Sequence, residues 1–152
     1  MIRGWLMIDF NIQDLRFFLT NLSIRTLINQ FGYPLDQMDN KTDEIIQEYI
    51  SNPKQVIFGF TLGMSIIGLI GLRFNSDVET ELRHIIVDRN YRRMGLATIL
   101  IEQIAKKFKL DILIAETDCE GLKFYENLGF KIESLGMKYP NVERFQCIVV
   151  FE

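Results

Sequence analysis

The amino-acid sequence predicts an α/β (α+β) fold built on a mixed sheet with one parallel β-α-β crossover in the middle. Three observations support this fold class. Apolar residues near the N-terminus recur at helical spacing, three strand patterns then follow one another, and a helical pattern separates the third strand from the next. A strand that follows such a helix pairs in parallel with the strand before it, whereas strands joined by short turns pair antiparallel.

The size and composition fit one folded domain over residues 1–152. Of the 152 residues, 48% are hydrophobic, which allows a substantial core. The net charge of −3 argues against nucleic-acid binding, which needs a basic surface. Two cysteines and one histidine have no metal-ligand spacing, and no signal peptide is recognisable. We therefore expect no metal, no nucleic-acid or membrane partner, reduced thiols and a cytoplasmic location.

The first third of the chain predicts one strand and two helices. Residues 2–10 form a candidate strand, and apolar residues recur at helical spacing over residues 15–31, before Gly32 and Pro34. A second short helix is indicated by residues 45–50 and is closed by Asn52-Pro53.

The middle third predicts three consecutive strands. Residues 57–72 are almost uncharged but too short for a membrane span, which needs roughly 20 residues. They fit better as a buried hairpin over residues 55–62 and 65–74, with a glycine-first turn at Gly63-Met64. A third strand is predicted over residues 79–87.

The last third returns to alternating helices and strands. The predicted elements are a helix over residues 97–108, a strand over 111–115, a helix opening at the capping box Thr117-x-x-Glu120 and ending at Gly129, and closing strands over 130–137 and 145–151.

The loop between the third strand and the next helix is a candidate phosphate site. A strand that feeds a helix through a glycine directs free backbone N–H groups and the positive end of the helix dipole at one point. Gly95 allows close approach, Ala97 keeps the first turn narrow, and Arg89, Arg92 and Arg93 add positive charge. Taken alone, the same residues also fit an ordinary turn with solvated arginines. The glycine spacing matches neither a Walker loop nor a dinucleotide fingerprint.

Two motifs resemble the GNAT superfamily of N-acetyltransferases. Arg92, Gly95 and Ala97 match its acetyl-CoA loop, Arg/Gln-x-x-Gly-x-Gly/Ala. Residues 118–130 resemble its second motif through Phe124, Tyr125, Gly129 and Phe130, with Asp118 in place of the usual Asn and Gly121 in place of Ala. The resemblance is clear over about residues 55–137 and implies a mostly antiparallel, twisted sheet flanked by helices.

The resemblance also implies a co-substrate and its binding residues. Acetyl-CoA would be held by backbone groups of Ile86 and Val87, which would contact the pantetheine and polarise the carbonyl. The remaining residues of the implied binding site lie in the pyrophosphate loop, except for Asp118 of the second motif: Arg92, Arg93, Met94, Gly95, Leu96, Ala97, Thr98 and Asp118.

The implied reaction is direct attack of a primary amine on the thioester. Tyr125 stands where the family commonly has the acid that protonates the departing thiolate, although it also fits a core tyrosine. Glu81 stands at a strand position used for the base, and an ordered water is the alternative. Strand alternation places Glu81 and Arg83 on one face and Leu82, His84 and Ile86 on the other, and Glu81 also fits an ion pair with Arg83. Glu79 and Glu116 are weaker candidates.

Other functions stay open from the sequence. His84 fits a packed or hydrogen-bonded side chain better than a catalytic one, and a Cys119/His84 nucleophile pair lacks sequence context. The alternatives to the enzyme are a non-catalytic sensor of acyl-CoA and a helical interaction protein. The acceptor is expected to be a small-molecule, peptide or protein amine. A homodimer could form if the last strand pairs with the edge of a second copy's sheet.

Overall fold

The structure is a computed structural model that describes residues 8–19, 21–30 and 36–152. Seven strands and four α-helices are found in this part of the chain. The strands are β1 (Ile8–Asp14), β2 (Gln55–Leu62), β3 (Ser65–Phe74), β4 (Glu79–Val87), β5 (Ile112–Thr117), β6 (Lys131–Tyr139) and β7 (Val142–Val150). The helices are α1 (Leu22–Asn29), α2 (Met38–Ser51), α3 (Leu96–Phe108) and α4 (Leu122–Asn127). Two 3-10 turns cover Arg16–Phe18 and Arg89–Tyr91.

The predicted fold class is confirmed. The strands form one sheet in the order β1-β2-β3-β4-β5-β7-β6. Of the described pairs, only β4 and β5 are parallel, and α3 connects them. The β2–β3 hairpin has the predicted bounds, and Gly63 in its turn has a φ of 60°.

Helices cover both faces of the sheet and bury two apolar clusters. One cluster packs α3 against β2, β3, β4 and β5 through residues such as Phe60, Leu72 and Leu82. The other packs α1 and α2 against the opposite face through residues such as Ile57, Leu69 and Ile86. We call these the α3 face and the α1/α2 face. Such two-sided burial explains why β2 and β3 are apolar almost throughout.

A β-bulge in β4 corrects the predicted alternation of that strand. Leu82 lies opposite Leu72 and His84 lies opposite Gly71, so Arg83 is an extra residue on β4. An extra residue in one strand reverses the facing of everything beyond it. His84 and Ile86 therefore lie on the α1/α2 face with Glu81, while Leu82 lies on the α3 face. The prediction that His84 faces away from Glu81 was wrong.

The N-terminal half contains three further differences from the predicted elements. The helical pattern over residues 15–31 is divided, because Asn21 caps α1 and accepts a hydrogen bond from Ser23 N at 2.7 Å. Residues 2–7 of the predicted strand over residues 2–10 lie outside the described residues. The strand is found from Ile8, as β1, and it continues beyond the predicted end to Asp14. The second helix, α2, is much longer than its apolar stripe indicated.

The C-terminal half corrects two other predictions. The capping box at Thr117 is not formed, because Gly121 is the N-cap of α4 and the Asp118 carboxylate accepts from Glu120 N and Gly121 N instead. The last strand, β7, lies between β5 and β6 and is therefore not an edge that could add to a partner's sheet.

In the described part of the chain, no helix is both long and apolar enough to cross a membrane.

Candidate active site

A cleft opens where β4 and β5 separate. In the described sheet these strands are paired only at Glu79–Glu81 of β4, although β4 continues to Val87. Beyond Glu81, β4 stays hydrogen-bonded to β3, and its other backbone edge, which faces β5, is not paired with that strand. A cavity of about 580 Å³ lies here, between β4, the loop that follows it, the first turn of α3 and α4.

The loop before α3 has the backbone shape of an anion site. Gly95 is the N-cap of α3 with a φ of 78°, and no side chain caps the helix. The first amide of α3 to bond within the helix is that of Ile99, so those of Leu96, Ala97 and Thr98 have no helical partner. Apart from Gly95 and its two chain neighbours, no described residue has an atom within 4 Å of the place where a Gly95 side chain would begin. An anion can therefore approach amides at the positive end of the helix dipole.

Two arginines add charge to this loop and help to shape it. Arg92 Nε donates to the Val87 carbonyl oxygen at 3.0 Å, and its Nη2 donates to Gln30 Oε1 at 3.3 Å. These bonds connect the loop to β4 and to the end of α1. Arg93 has a φ of 63°, which is unusual for a residue with a side chain. Both guanidinium groups belong to exposed residues that line the cavity.

Tyr125 reaches the cavity from α4, on the α3 face. Its ring makes edge contacts with Phe124 and Phe130, with ring centroids 5.2 and 5.3 Å apart. Burial, with a smaller effect of nearby Cys147, raises the pKa of Tyr125 to about 12. A phenol in this environment stays protonated and can donate.

His84 reaches the cavity from the α1/α2 face. Its Nδ1 is 2.5 Å from the hydroxyl oxygen of Tyr49, which is fully buried in α2. A Cβ atom on Gly71 would overlap that hydroxyl, so the glycine makes room for it directly opposite His84. Burial, and then the charge of Arg83, lowers the pKa of His84 to about 4. The imidazole is therefore neutral at physiological pH.

Glu81 is held in an ion-pair cluster beside the cavity. Arg83 Nη1 lies 3.0 Å from Glu81 Oε2, and Arg83 Nη2 lies 3.5 Å from Glu48 Oε2. Arg83 lines the cavity but Glu81 does not. The alternative in which Glu81 pairs with Arg83 is thus the arrangement found.

Comparison of the sequence with known protein families gives one match. Residues 21–130 match the model of the acetyltransferase (GNAT) family. The chain belongs to this family. No match to the sequence was found among curated proteins.

Solved structures include many similar GNAT folds. A protein from Desulfovibrio desulfuricans, described as an acetyltransferase of the GNAT family, has a TM-score of 0.77 and 15% identity over 94% of this chain and 98% of its own. A protein from Bacillus anthracis, described as a streptothricin acetyltransferase and solved with acetyl coenzyme A, is 30% identical over 70% of this chain and 68% of its own, with a TM-score of 0.59. A variant of a spermidine N-acetyltransferase from Vibrio cholerae has a TM-score of 0.70 and 18% identity over 95% and 94%.

Most residues that the GNAT motifs indicated meet around the cavity. Those that line it are Ile86, Val87, Arg92, Arg93, Gly95, Leu96, Ala97, Thr98 and Tyr125. Met94 packs against the α3-face cluster instead, and the Asp118 carboxylate is used by the turn before α4. Glu81 does not line the cavity, but it forms an ion pair with Arg83, which does.

The GNAT motifs did not indicate several residues of the cavity wall. The cavity is also lined by His84, Arg83 and Gln30. From the sequence, His84 was expected to be a packed or hydrogen-bonded side chain, and Gln30 was given no role. The bulge brings in His84, and the sequence signal for it is slight: a glycine in β3 opposite the only histidine of the chain. Among the described residues, no group of three or more His, Cys, Asp or Glu side chains is arranged to hold a metal ion.

Proposed function

We propose that this protein transfers the acetyl group of acetyl-CoA to a primary amine. The observation that carries the proposal is the single cavity that joins the uncapped N-terminus of α3 to the unpaired edge of β4 and to Tyr125. An anion site, an extended backbone edge and a protonated phenol are the three features that this reaction needs.

The residues of the α3 loop suit the pyrophosphate of coenzyme A. The amides of Leu96, Ala97 and Thr98 would donate to phosphate oxygens, and Arg92 and Arg93 would balance the charge. The pantetheine would lie along β4, where Ile86 and Val87 offer backbone groups. The Val87 carbonyl already accepts from Arg92, so this bond must coexist with the ligand or give way to it. Asp118 would act by shaping the turn before α4.

The thioester supplies the acetyl group, and residues of this chain move the protons. Attack by the amine nitrogen forms the C–N bond while the C–S bond breaks, so a proton must leave nitrogen and one must reach sulfur. Tyr125 is proposed to donate to the departing sulfur, which its raised pKa and its place in the cavity support.

Either Glu81 or an ordered water is proposed to take the proton from the amine. Glu81 lies on the α1/α2 face close to the cavity, which supports a role through a bridging water. The ion pair with Arg83 supports the other candidate, because it occupies a carboxylate that does not line the cavity.

The amine class rests on similarity. The relative described as a spermidine N-acetyltransferase acts, by its name, on an amine, and the one described as a streptothricin acetyltransferase is 30% identical over 70% of this chain. The acceptor would approach beside α2 and β4, where the cluster of Glu48, Glu81 and Arg83 has a net charge of −1 and favours a cationic amine.

The test is an acetyl-transfer assay with a panel of amines. The purified protein is incubated with acetyl-CoA and each amine, and free thiol is followed while mass spectrometry identifies the acetylated product. We expect turnover on at least one amine. Tight coenzyme A binding in calorimetry without turnover on any amine would favour a sensor of acyl-CoA, and no binding at all would refute both functions.

A further inference from the structure

The side chain of Arg92 connects the α3 loop to two other elements. Its Nε donates to the Val87 carbonyl oxygen at the end of β4 at 3.0 Å, and its Nη2 donates to Gln30 Oε1 at the end of α1 at 3.3 Å. The backbone between Val87 and Arg92 is a closed turn, in which Tyr91 N donates to the Asp88 carbonyl oxygen at 2.8 Å. Arg92 is therefore held both by its backbone and by its guanidinium group.

These bonds leave part of the guanidinium group for a ligand. The group is planar and has five N–H donors in a fixed fork. The bonds to Val87 and Gln30 use two of the five and leave three, on Nη1 and Nη2. Two N–H groups of an arginine can bind two oxygens of one phosphate. Arg92, which lines the cavity, thus keeps enough donors for a phosphate while its orientation is fixed.

The partners of Arg92 are neutral, which distinguishes it from other arginines of the chain. Arg83 and Arg144 form ion pairs with Glu81 and Glu116, at 3.0 and 3.3 Å. Among the described residues, no carboxylate forms an ion pair with Arg92, which is bound by a backbone carbonyl and a side-chain amide. Its positive charge is therefore oriented without being neutralised, as binding of an anion requires.

Gln30 is itself placed by a packed helix. It is the C-cap of α1, and its backbone N–H donates to the Leu27 carbonyl oxygen at 3.0 Å. Ile24, Leu27 and Ile28 anchor this helix in the α1/α2-face cluster, where each is at most 1% exposed. The half-buried Gln30 lines the cavity. Since a guanidinium group has only donors, Gln30 has to turn its side-chain oxygen toward Arg92.

We propose that Gln30 is a positioning residue that holds Arg92 in place for the pyrophosphate of coenzyme A. This inference rests on the proposed acetyl transfer and concerns the binding of its co-substrate. The bond to Val87 is compatible with a bound ligand, because a carbonyl oxygen has two lone pairs and can accept from Arg92 and from the pantetheine. A long side chain that is already ordered loses less freedom on binding, which is worth about 2- to 12-fold in affinity.

Calorimetry with coenzyme A tests this role. Gln30→Met keeps the length of the side chain but removes the oxygen, and we expect binding to weaken by about 3- to 10-fold. Thr26→Ala is the matched control, because Thr26 lies about one turn earlier on α1 and its hydroxyl donates within the helix, to the Leu22 carbonyl oxygen at 2.9 Å. The control should bind coenzyme A as the wild type does, and urea denaturation establishes that both variants fold.

The outcomes of this experiment separate the inference from the proposed function. Wild-type affinity in Gln30→Met, or an equal loss in Thr26→Ala, would overturn the positioning role and leave the acetyl transfer standing. Absence of coenzyme A binding by the wild type would overturn both.

A double-mutant cycle determines whether Gln30 acts through Arg92. Arg93 provides the comparison, because it lines the same cavity and takes no part in the bond to Gln30. In an Arg92→Ala background, Gln30→Met should change the affinity by no more than about 2-fold, whereas in an Arg93→Ala background it should keep its full effect. Equal losses in the two backgrounds would mean that Gln30 affects binding by another route, and would overturn the inference.

Kinetics separate positioning from a role in the chemical step. An interaction made equally in the ground state and the transition state changes KM and leaves kcat unaltered. Gln30→Met should therefore raise the KM for acetyl-CoA, by a factor similar to the loss of affinity, while kcat stays within about 2-fold of the wild type. A fall in kcat of about 10-fold or more at unchanged KM would show that the side chain acts on the reaction itself, and would overturn the inference.

Discussion

Tyr125 lines the cavity, and its partly buried ring packs edge-on against Phe124 and Phe130. An unperturbed tyrosine begins to lose its proton above about pH 9, since its pKa is about 10. Raising the pKa to about 12 moves that loss beyond the range of an amine assay. The same burial therefore keeps the phenol protonated, which the proposed role of Tyr125 requires.

Replacing Tyr125 with Phe removes the hydroxyl and keeps the packing. We expect kcat to fall by about 10²- to 10⁴-fold, the usual contribution of general acid catalysis, with the acetyl-CoA affinity within a few fold of wild type. In the wild type, Tyr125 should cause no loss of activity up to about pH 11. Thermal unfolding of the variant provides the control for folding. An alkaline limb near pH 10 that vanishes in Tyr125→Phe would contradict the raised pKa.

Glu81 is the residue at which the two candidate bases can be separated. Because Arg83 binds its carboxylate and it does not line the cavity, we expect Glu81→Gln to lower kcat/KM by less than about 10-fold. That result would assign the proton transfer to an ordered water. A loss of about 10²-fold or more that shrinks with rising pH would instead identify Glu81 as the base. The measurement is a kcat/KM profile from pH 6 to pH 10.

The loop before α3 depends on a glycine whose effect on binding can be separated from its effect on stability. Gly95 and Gly63 both have positive φ values, 78° and 60°, and both have open space around the missing Cβ. Alanine at either position should cost about 1–2 kcal/mol of backbone strain. Gly95→Ala should also weaken coenzyme A binding by at least 10-fold in calorimetry, whereas Gly63→Ala should not. Equal affinities in the two variants would argue against an anion site at α3.

The division of the N-terminal helical pattern has its cause in one side chain. Asn21 Oδ1 accepts from Ser23 N and from Ser23 Oγ, and Ser23 Oγ in turn accepts from Ile66 N at the start of β3. Asn21→Ala should lower the free energy of unfolding by about 0.5–2 kcal/mol, measured by urea denaturation. Asn40→Ala, at an exposed position inside α2, is the control and should not destabilise the protein. Equal destabilisation by both changes would mean that the cap contributes nothing.

These elements show which features a sequence can predict. The hairpin bounds could be predicted because Gly63 and the flanking apolar runs are local signals. The bulge in β4 could not, because an extra residue is set by the register against β3 and leaves no local mark. The space that Gly71 leaves for the Tyr49 hydroxyl could not be predicted either, because the glycine is in a strand and the tyrosine in a helix distant in sequence. Sequence motifs indicated that the α3 loop and Tyr125 belong to the cavity, whereas no motif indicated His84.

Across the whole molecule, the sheet connects two groups of helices with different tasks. The α3 face supplies the uncapped helix end and Tyr125, and the α1/α2 face supplies Tyr49 and the cluster around Arg83. The separation of β4 from β5 lets both sides reach one cavity through the sheet. A ligand bound there would contact residues from both clusters, so binding should raise the stability of the entire fold.

The buried imidazole should make global stability depend on pH in a defined window. The unfolded chain binds a proton on histidine below about pH 6.5, whereas folded His84 does so only below about pH 4. Between these values the unfolded state holds more protons, so stability falls as the pH is lowered, by about 2 kcal/mol from pH 7 to pH 5. Urea denaturation at the two pH values measures this loss. His84→Gln removes the only histidine and should retain less than half of the loss. The same pH dependence in wild type and variant would show that the His84 imidazole titrates normally in the folded protein.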